Sequence, residues 1–195
     1  MTSVLLFCIA EEAKPFMHKI LKVRNTDGTP PTPIFYLVES NICPSRDEGF
    51  KEELQEDESF ESDFVGASEE QCKSGALEKQ FQVNFIEQNI IAIADARTAR
   101  DGTILMCFYK QEIETVEPLV FEEWGPLPPQ TNTWYDFRID YQGAALMYIG
   151  LVYCPPDSAY PAYFGRREQL TDEHGVFDVV KADRYVSGED PEADA

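Results

Sequence analysis

Apolar side chains fall into short dense runs along this chain, separated by polar breaks marked with proline or glycine. Residues 4–10 (VLLFCIA) make the first run, which suits a buried strand or the start of a helix. Behind it Ala13, Phe16, Met17, Ile20 and Leu21 share one helical face, with Pro15 tolerable in the first turn. Residues 34–38 (IFYLV) are apolar almost throughout and rich in β-formers, as a central strand would be. Residues 89–94 (NIIAIA) and 103–109 (TILMCFY) read the same way, joined by a loop that carries the Asp101-Gly102 turn signal. Residues 134–141 (WYDFRIDY) alternate large apolar and polar side chains, the pattern of a strand with one buried face.

The intervening segments are less regular. In the acidic stretch 46–70, Phe50 with Leu54 suggests one short helix, and Phe60 and Phe64 are expected core anchors. Ser68 is the expected cap of a helix running through Gln80. Glu69 and Glu70 would lie in its dipole-favoured first turn, and Cys72, Ala76 and Leu77 on its apolar side. Residues 112–122 are expected to add an edge strand, with Val116, Leu119, Val120 and Phe121 partly buried. Residues 143–152 fit helix or strand, helix being preferred; 159–170 read as helix and 176–180 as a closing strand. Connectors fall at 25–33, 125–133 and 154–161, and 187–195 (SGEDPEADA) reads as a disordered acidic tail.

These elements predict an α/β (α+β) fold: a mixed β-sheet with helices packed on one or both faces, in a single domain. Residues 1–24 would be an apolar element and amphipathic helix packed on a mixed-sheet domain of residues 34–180.

Charge narrows the functional classes. With 16 basic against 36 acidic side chains the net charge is −20, which argues against direct binding to nucleic acid or an anionic membrane. Acidity favours encounter with a basic protein, and equally it serves solubility alone. No apolar run approaches the roughly 20 residues a membrane helix needs. The run at 4–10 lacks a preceding Lys or Arg and meets Glu11-Glu12 at once, unlike a signal peptide. Five scattered cysteines without a C-x-x-C pair suit reduced, mostly buried thiols in the cytoplasm.

The segment from Ile90 to Tyr109 (IIAIADARTARDGTILMCFY) is an apolar strand, the triplet Ala-Asp-Ala, a short loop and a second apolar strand. It resembles a family of small intracellular domains of unknown function found mainly in actinobacteria. The likeness extends to residues 34–39, to Phe64-Val65 ahead of Ser68, to 137–139 and to 172–177. It implies a small acidic domain that acts by binding a partner, in the manner of an immunity protein. Where that family carries an N-N-L-S-I-A-N-M-D-like stretch, this chain reads MYIGLVYCPPDS, and residues 1–33 and 125–133 have no counterpart in it.

If the strands at 34 and 90 lay parallel and adjacent, Glu39, Asn41 and Asp95 would gather at their carboxyl ends, where open α/β sheets hold ligands. Glu39 and Asp95 would then be an acid–base pair, with Arg97 and Arg100 balancing charge. Alternatively Asp95 closes a turn and pairs with Arg97. His174 is a candidate base, or a turn residue before Gly175, while His18 is expected on the surface of its helix. Two isolated histidines and no EF-hand spacing point to no metal, and the lack of phosphate-loop, dinucleotide and nucleophile-elbow motifs points to no cofactor. Aromatic residues crowd the second half. Trp124, Trp134 and Tyr141 are the candidate binding residues there, as interface anchors, as the wall of a small-molecule pocket, or as core. Two functions follow: a non-catalytic binding module for a basic partner, or a cofactor-independent isomerase, cyclase or hydratase built on Glu39, Asp95, Arg97 and His174.

Overall fold

Side chains of residues 3–8 are buried without exception, and only a strand flanked on both sides offers that environment. In the computed structural model, which describes residues 2–25, 31–45, 47–80, 86–113 and 117–189, β1 (Ser3–Cys8) is the second strand of a five-stranded sheet. It pairs in parallel with β4 (Phe35–Val38) on one side and β5 (Ile86–Ala94) on the other. From β5 the sheet turns antiparallel, through β6 (Thr103–Lys110) to β9 (Thr133–Asp140), so the order is β4-β1-β5-β6-β9. Two ribbons of two-residue strands, β2 (Arg24–Asn25) with β3 (Thr32–Pro33) and β7 (Val120–Phe121) with β8 (Gly125–Pro126), lie outside it. Thus residues 3–8 are part of the sheet rather than an element laid upon it.

Period-two alternation sends each strand's side chains to opposite faces. Leu6, Leu37, Ala92, Met106 and Phe137 join the larger core. The 3-10 turn Glu11–Phe16, α1 (Met17–Ile20), α4 (Ala144–Val152), α5 (Pro156–Tyr160) and α6 (Val179–Val186) contribute to the same core. Leu5, Phe7, Val38, Ile93 and Cys107 face the other way, against Phe64 and against Cys72 and Ala76 of α2 (Glu69–Gln80). Helices therefore cover both faces of a mixed sheet. This is the α/β class that the apolar runs predict, and residues 143–152 resolve as helix.

At α2 the expected cap is reciprocal: Ser68 Oγ accepts from Gln71 N at 3.2 Å, while Gln71 Oε1 accepts from Ser68 N at 2.8 Å. Replacing Ser68 by Ala is expected to cost about 1 kcal/mol in a urea titration. An unchanged midpoint would mean that α2 is held by its buried face alone.

Three expected elements form differently. No helix forms around Phe50 and Leu54, where Glu52/Glu56 and Glu53/Asp57 would set like charges one turn apart. The chain instead runs irregularly along the open edge of β4. Leu37 N donates to Lys51 O at 2.9 Å, Ser62 Oγ to Val38 O at 3.2 Å, and Asp63 N to Glu39 O at 2.9 Å, while Leu54 and Phe60 are buried as anchors. An edge that could pair with a foreign strand is thereby covered. The expected closing strand at 176–180 is mostly helix start: Asp178 Oδ1 accepts from Lys181 N and caps α6, and only Phe177 N reaches β9, at Arg138 O. Among the described residues of the expected edge strand 112–122, only Val120–Phe121 is paired; Leu119 and Val120 are exposed, and Val116 lies outside the described residues.

Helix at 159–170 is likewise shorter and earlier than expected, α5 passing into a π turn, Pro161–Gly165. His18 is buried, not on the surface, with Nδ1 2.8 Å from Pro15 O. Most of the acidic tail, 190–195, lies outside the described residues.

Candidate functional site

Asp95 ends β5, and its carboxylate gathers the groups around it. Oδ1 accepts from Arg97 N at 3.0 Å and Thr98 N at 3.1 Å, while Asp95 N donates to Thr98 Oγ1 at 3.1 Å. That arrangement starts the short helix α3 (Thr98–Asp101). Across β6, Arg138 of β9 grips the same carboxylate with both Nη atoms, at 3.1 and 2.5 Å. Burial pushes the Asp95 carboxyl up, but the Arg138 guanidinium and the N–H groups of Thr98 and Arg97 more than offset that and hold it below its usual range. A carboxylate so engaged is a structural clamp between two strands rather than a proton acceptor.

The other candidates separate in space. Glu39 follows β4, with β1 intervening between β4 and β5, so the two carboxylates do not meet as an acid–base pair. Glu39 pairs instead with Lys51, at 3.3 Å, and Asn41 N donates to Asp63 Oδ2 at 3.0 Å. The crevice expected between the strands at 34 and 90 does not form, because β1 lies between them; at its carboxyl end Ile9 N donates to Ala94 O, and Gly66 N to Ile9 O, which draws the loop carrying Phe64 over this end of the sheet.

The Arg97 guanidinium pairs with Asp101, at 2.6 Å, and only the backbone N–H of Arg97 reaches Asp95. Burial raises the Asp101 carboxyl, yet Arg97 together with the hydroxyl and N–H of Thr103 holds it down at about 2. His174 is exposed, 3.7 Å from Glu173, in a turn tied by Asp172 Oδ1. Cys8 and Cys107 are buried, and desolvation pushes the Cys8 thiol up to about 11, so neither is a nucleophile near neutral pH.

The aromatic candidates are packed. The Trp124 ring lies against Gly165, where an added Cβ would come within 2.8 Å of it, and Arg166 sits over it at 4.7 Å. Trp134 stands beside Tyr109 on the α2 side, and Tyr141 meets Phe16 edge-on at 5.2 Å. All three are half-buried, so none is a free anchor. Among the described residues, no group of three or more His, Cys, Asp or Glu is placed to hold a metal, and no helix is long and apolar enough to cross a membrane.

An open crevice of about 700 Å³ lies beyond the end of β9, between the start of α4 and residues 169–181. Leu146, Phe177 and Val179 line it, and it shares Asp140 and Val176 with a neighbouring open lobe of about 620 Å³ lined by Arg97, Arg100 and His174. Arg97, Arg100 and His174 stand out in the sequence, but their neighbours do not. Asp140, Val176 and Val179 come from segments read as strand, and nothing in their spacing announces a shared wall. Comparison with protein-family models, curated proteins and solved structures returned no match.

Proposed function

We propose that the chain is a non-catalytic binding module that takes a basic protein partner on the acidic segment 47–63. The observation that carries this reading is the conformation of that segment. Asp47, Glu48, Glu52, Glu53, Glu56, Asp57, Glu61 and Asp63 are exposed on an irregular stretch whose path is fixed by buried Leu54, Phe60 and Phe64 and by bonding to β4. Neutralising cations are few: Lys14 meets Glu61, Arg24 meets Glu53 and Lys51 meets Glu58. A fixed array of carboxylates loses little entropy on binding and draws in a basic partner over a Debye length. Engagement of Asp95 by Arg138 and the separation of Glu39 from it weigh on the same side, since they leave the enzymatic alternative without its acid–base pair. The resemblance of residues 90–109 to a family of small intracellular domains and the five scattered cysteines, two of them buried in the strands β1 and β6, fit an intracellular setting for that partner.

The test reverses charge where no ion pair is formed among the described residues, at Glu52→Lys, Glu56→Lys and Asp57→Lys together. Wild-type protein is expected to capture a stoichiometric basic protein from its own cell extract at low ionic strength and release it at high salt. The triple variant, at an unchanged thermal midpoint, is expected to bind it at least about tenfold more weakly. Capture that ignores both salt and charge reversal would sink the reading.

A further inference from the structure

The crevice beyond β9 combines an apolar wall with Arg97, Arg100 and His174 at one end, among four aspartates, Asp101, Asp140, Asp172 and Asp178. Each of these carboxylates accepts from at least one backbone N–H. Asp140 Oδ1 accepts from Gln142 N at 2.8 Å. Asp172 Oδ1 accepts from His174 N at 2.9 Å and Val176 N at 2.8 Å. Asp178 Oδ1 accepts from Lys181 N at 2.9 Å. Asp101 is taken by Arg97 and by Thr103, whose hydroxyl lies 2.6 Å from it. Arg100, by contrast, stands exposed on the lobe with no ion pair among the described residues, and His174 faces the same lobe.

We infer that this crevice is a binding site for a small amphipathic anion. The carboxylate or phosphate end lies at Arg100 and His174, and the apolar body rests on Leu146, Val176 and Val180. The size is that of a ligand pocket, and a few convergent polar groups at one end of an apolar wall are what orient a small molecule. An exposed guanidinium suits either head, because its planar fork of donors matches both carboxylate and phosphate oxygens. Binding here involves no bond making, and it is independent of the acidic segment 47–63 on the far side of the sheet order.

The experiment is a titration of isotope-labelled full-length protein, followed by amide chemical shifts. The probes are octanoate and phenyl phosphate, with hexanol as the neutral body and inorganic phosphate as the head alone. Octanoate or phenyl phosphate is expected to shift amides at 142–146, 176–181 and 97–103, and whichever binds identifies the head. Hexanol and inorganic phosphate are expected to bind at least about tenfold more weakly than the probe that combines both features. Arg100→Glu, on an exposed side chain, is expected to weaken that probe by about tenfold or more while leaving the free protein's spectrum otherwise intact. Shifts elsewhere, no saturable shift with either probe, equal binding of the neutral body, or an Arg100→Glu variant that binds as well as wild type would each overturn the assignment.

Discussion

Gly150→Ala is expected to destabilise the fold by about 3 kcal/mol, seen as a lowered urea midpoint at unchanged slope. For a chain of this size that is a fall of roughly 9 °C in Tm. The reason is a close approach of side chain to backbone. A Cβ at residue 150 would stand 2.5 Å from the Tyr163 hydroxyl and 2.9 Å from its ring edge. Tyr163 cannot swing aside, being fully buried, stacked on Phe177 and edge-on to Phe137. Its hydroxyl has no hydrogen-bond partner among the described residues, so Tyr163→Phe alone is expected to be neutral or slightly stabilising. Combined with Gly150→Ala, it is expected to recover about half of the loss, because only the hydroxyl contact is relieved. A neutral Gly150→Ala would mean that α4 and the π turn are not packed at this distance.

Asp95→Ala is expected to cost about the same, roughly 3 kcal/mol, since it strips an acceptor from two backbone N–H groups and leaves the guanidinium of Arg138 without its partner. Asp95→Asn keeps an acceptor for the backbone and is expected to lose about half as much. The two differ from wild type in pH dependence as well. A carboxyl whose folded pKa lies below its unfolded value of about 3.9 contributes stability above that value and loses it as pH falls through the folded pKa. Asp95 is held low, and Asp101 lies at about 2. Wild-type stability is therefore expected to drop between about pH 4 and pH 2. In Asp95→Asn the drop should be smaller over the same window, with a remainder from Asp101 that is muted by solvent, its side chain being 39% exposed. Urea titrations at several pH values measure this, and identical slopes for wild type and Asp95→Asn would show that Arg138 does not hold the carboxylate.

The strands at 34–38, 89–94 and 103–109 were legible because a buried strand needs neither alternation nor a special turn, only an unbroken apolar run. The same simplicity hid the position of β1: residues 4–10 announce burial but not which neighbours they lie between. At 176–180 the run Val-Phe-Asp-Val-Val is ambiguous between two periods, and the cap at Asp178 decided for a helix. Like-charge crowding overrode the Phe50/Leu54 spacing. At the candidate site, sequence proximity suggested Arg97 as the partner of Asp95, whereas pairing across β6 brings Arg138. Contacts across a sheet are set by register, which composition does not encode. The crevice beyond β9 was hidden for the same reason, its walls coming from residues far apart in the chain.

The two tryptophans stand in different layers, Trp124 against Gly165 and Arg166 in the larger core and Trp134 in the smaller one beneath α2. They are also the chain's entire complement of indole chromophores. A pair of single-tryptophan proteins, Trp124→Phe and Trp134→Phe, would therefore emit from one side of the sheet each. Their denaturation curves time the detachment of the two helical layers separately. Coincident curves would mark one cooperative unit; an earlier transition at Trp134 would mark α2 as the layer that opens first.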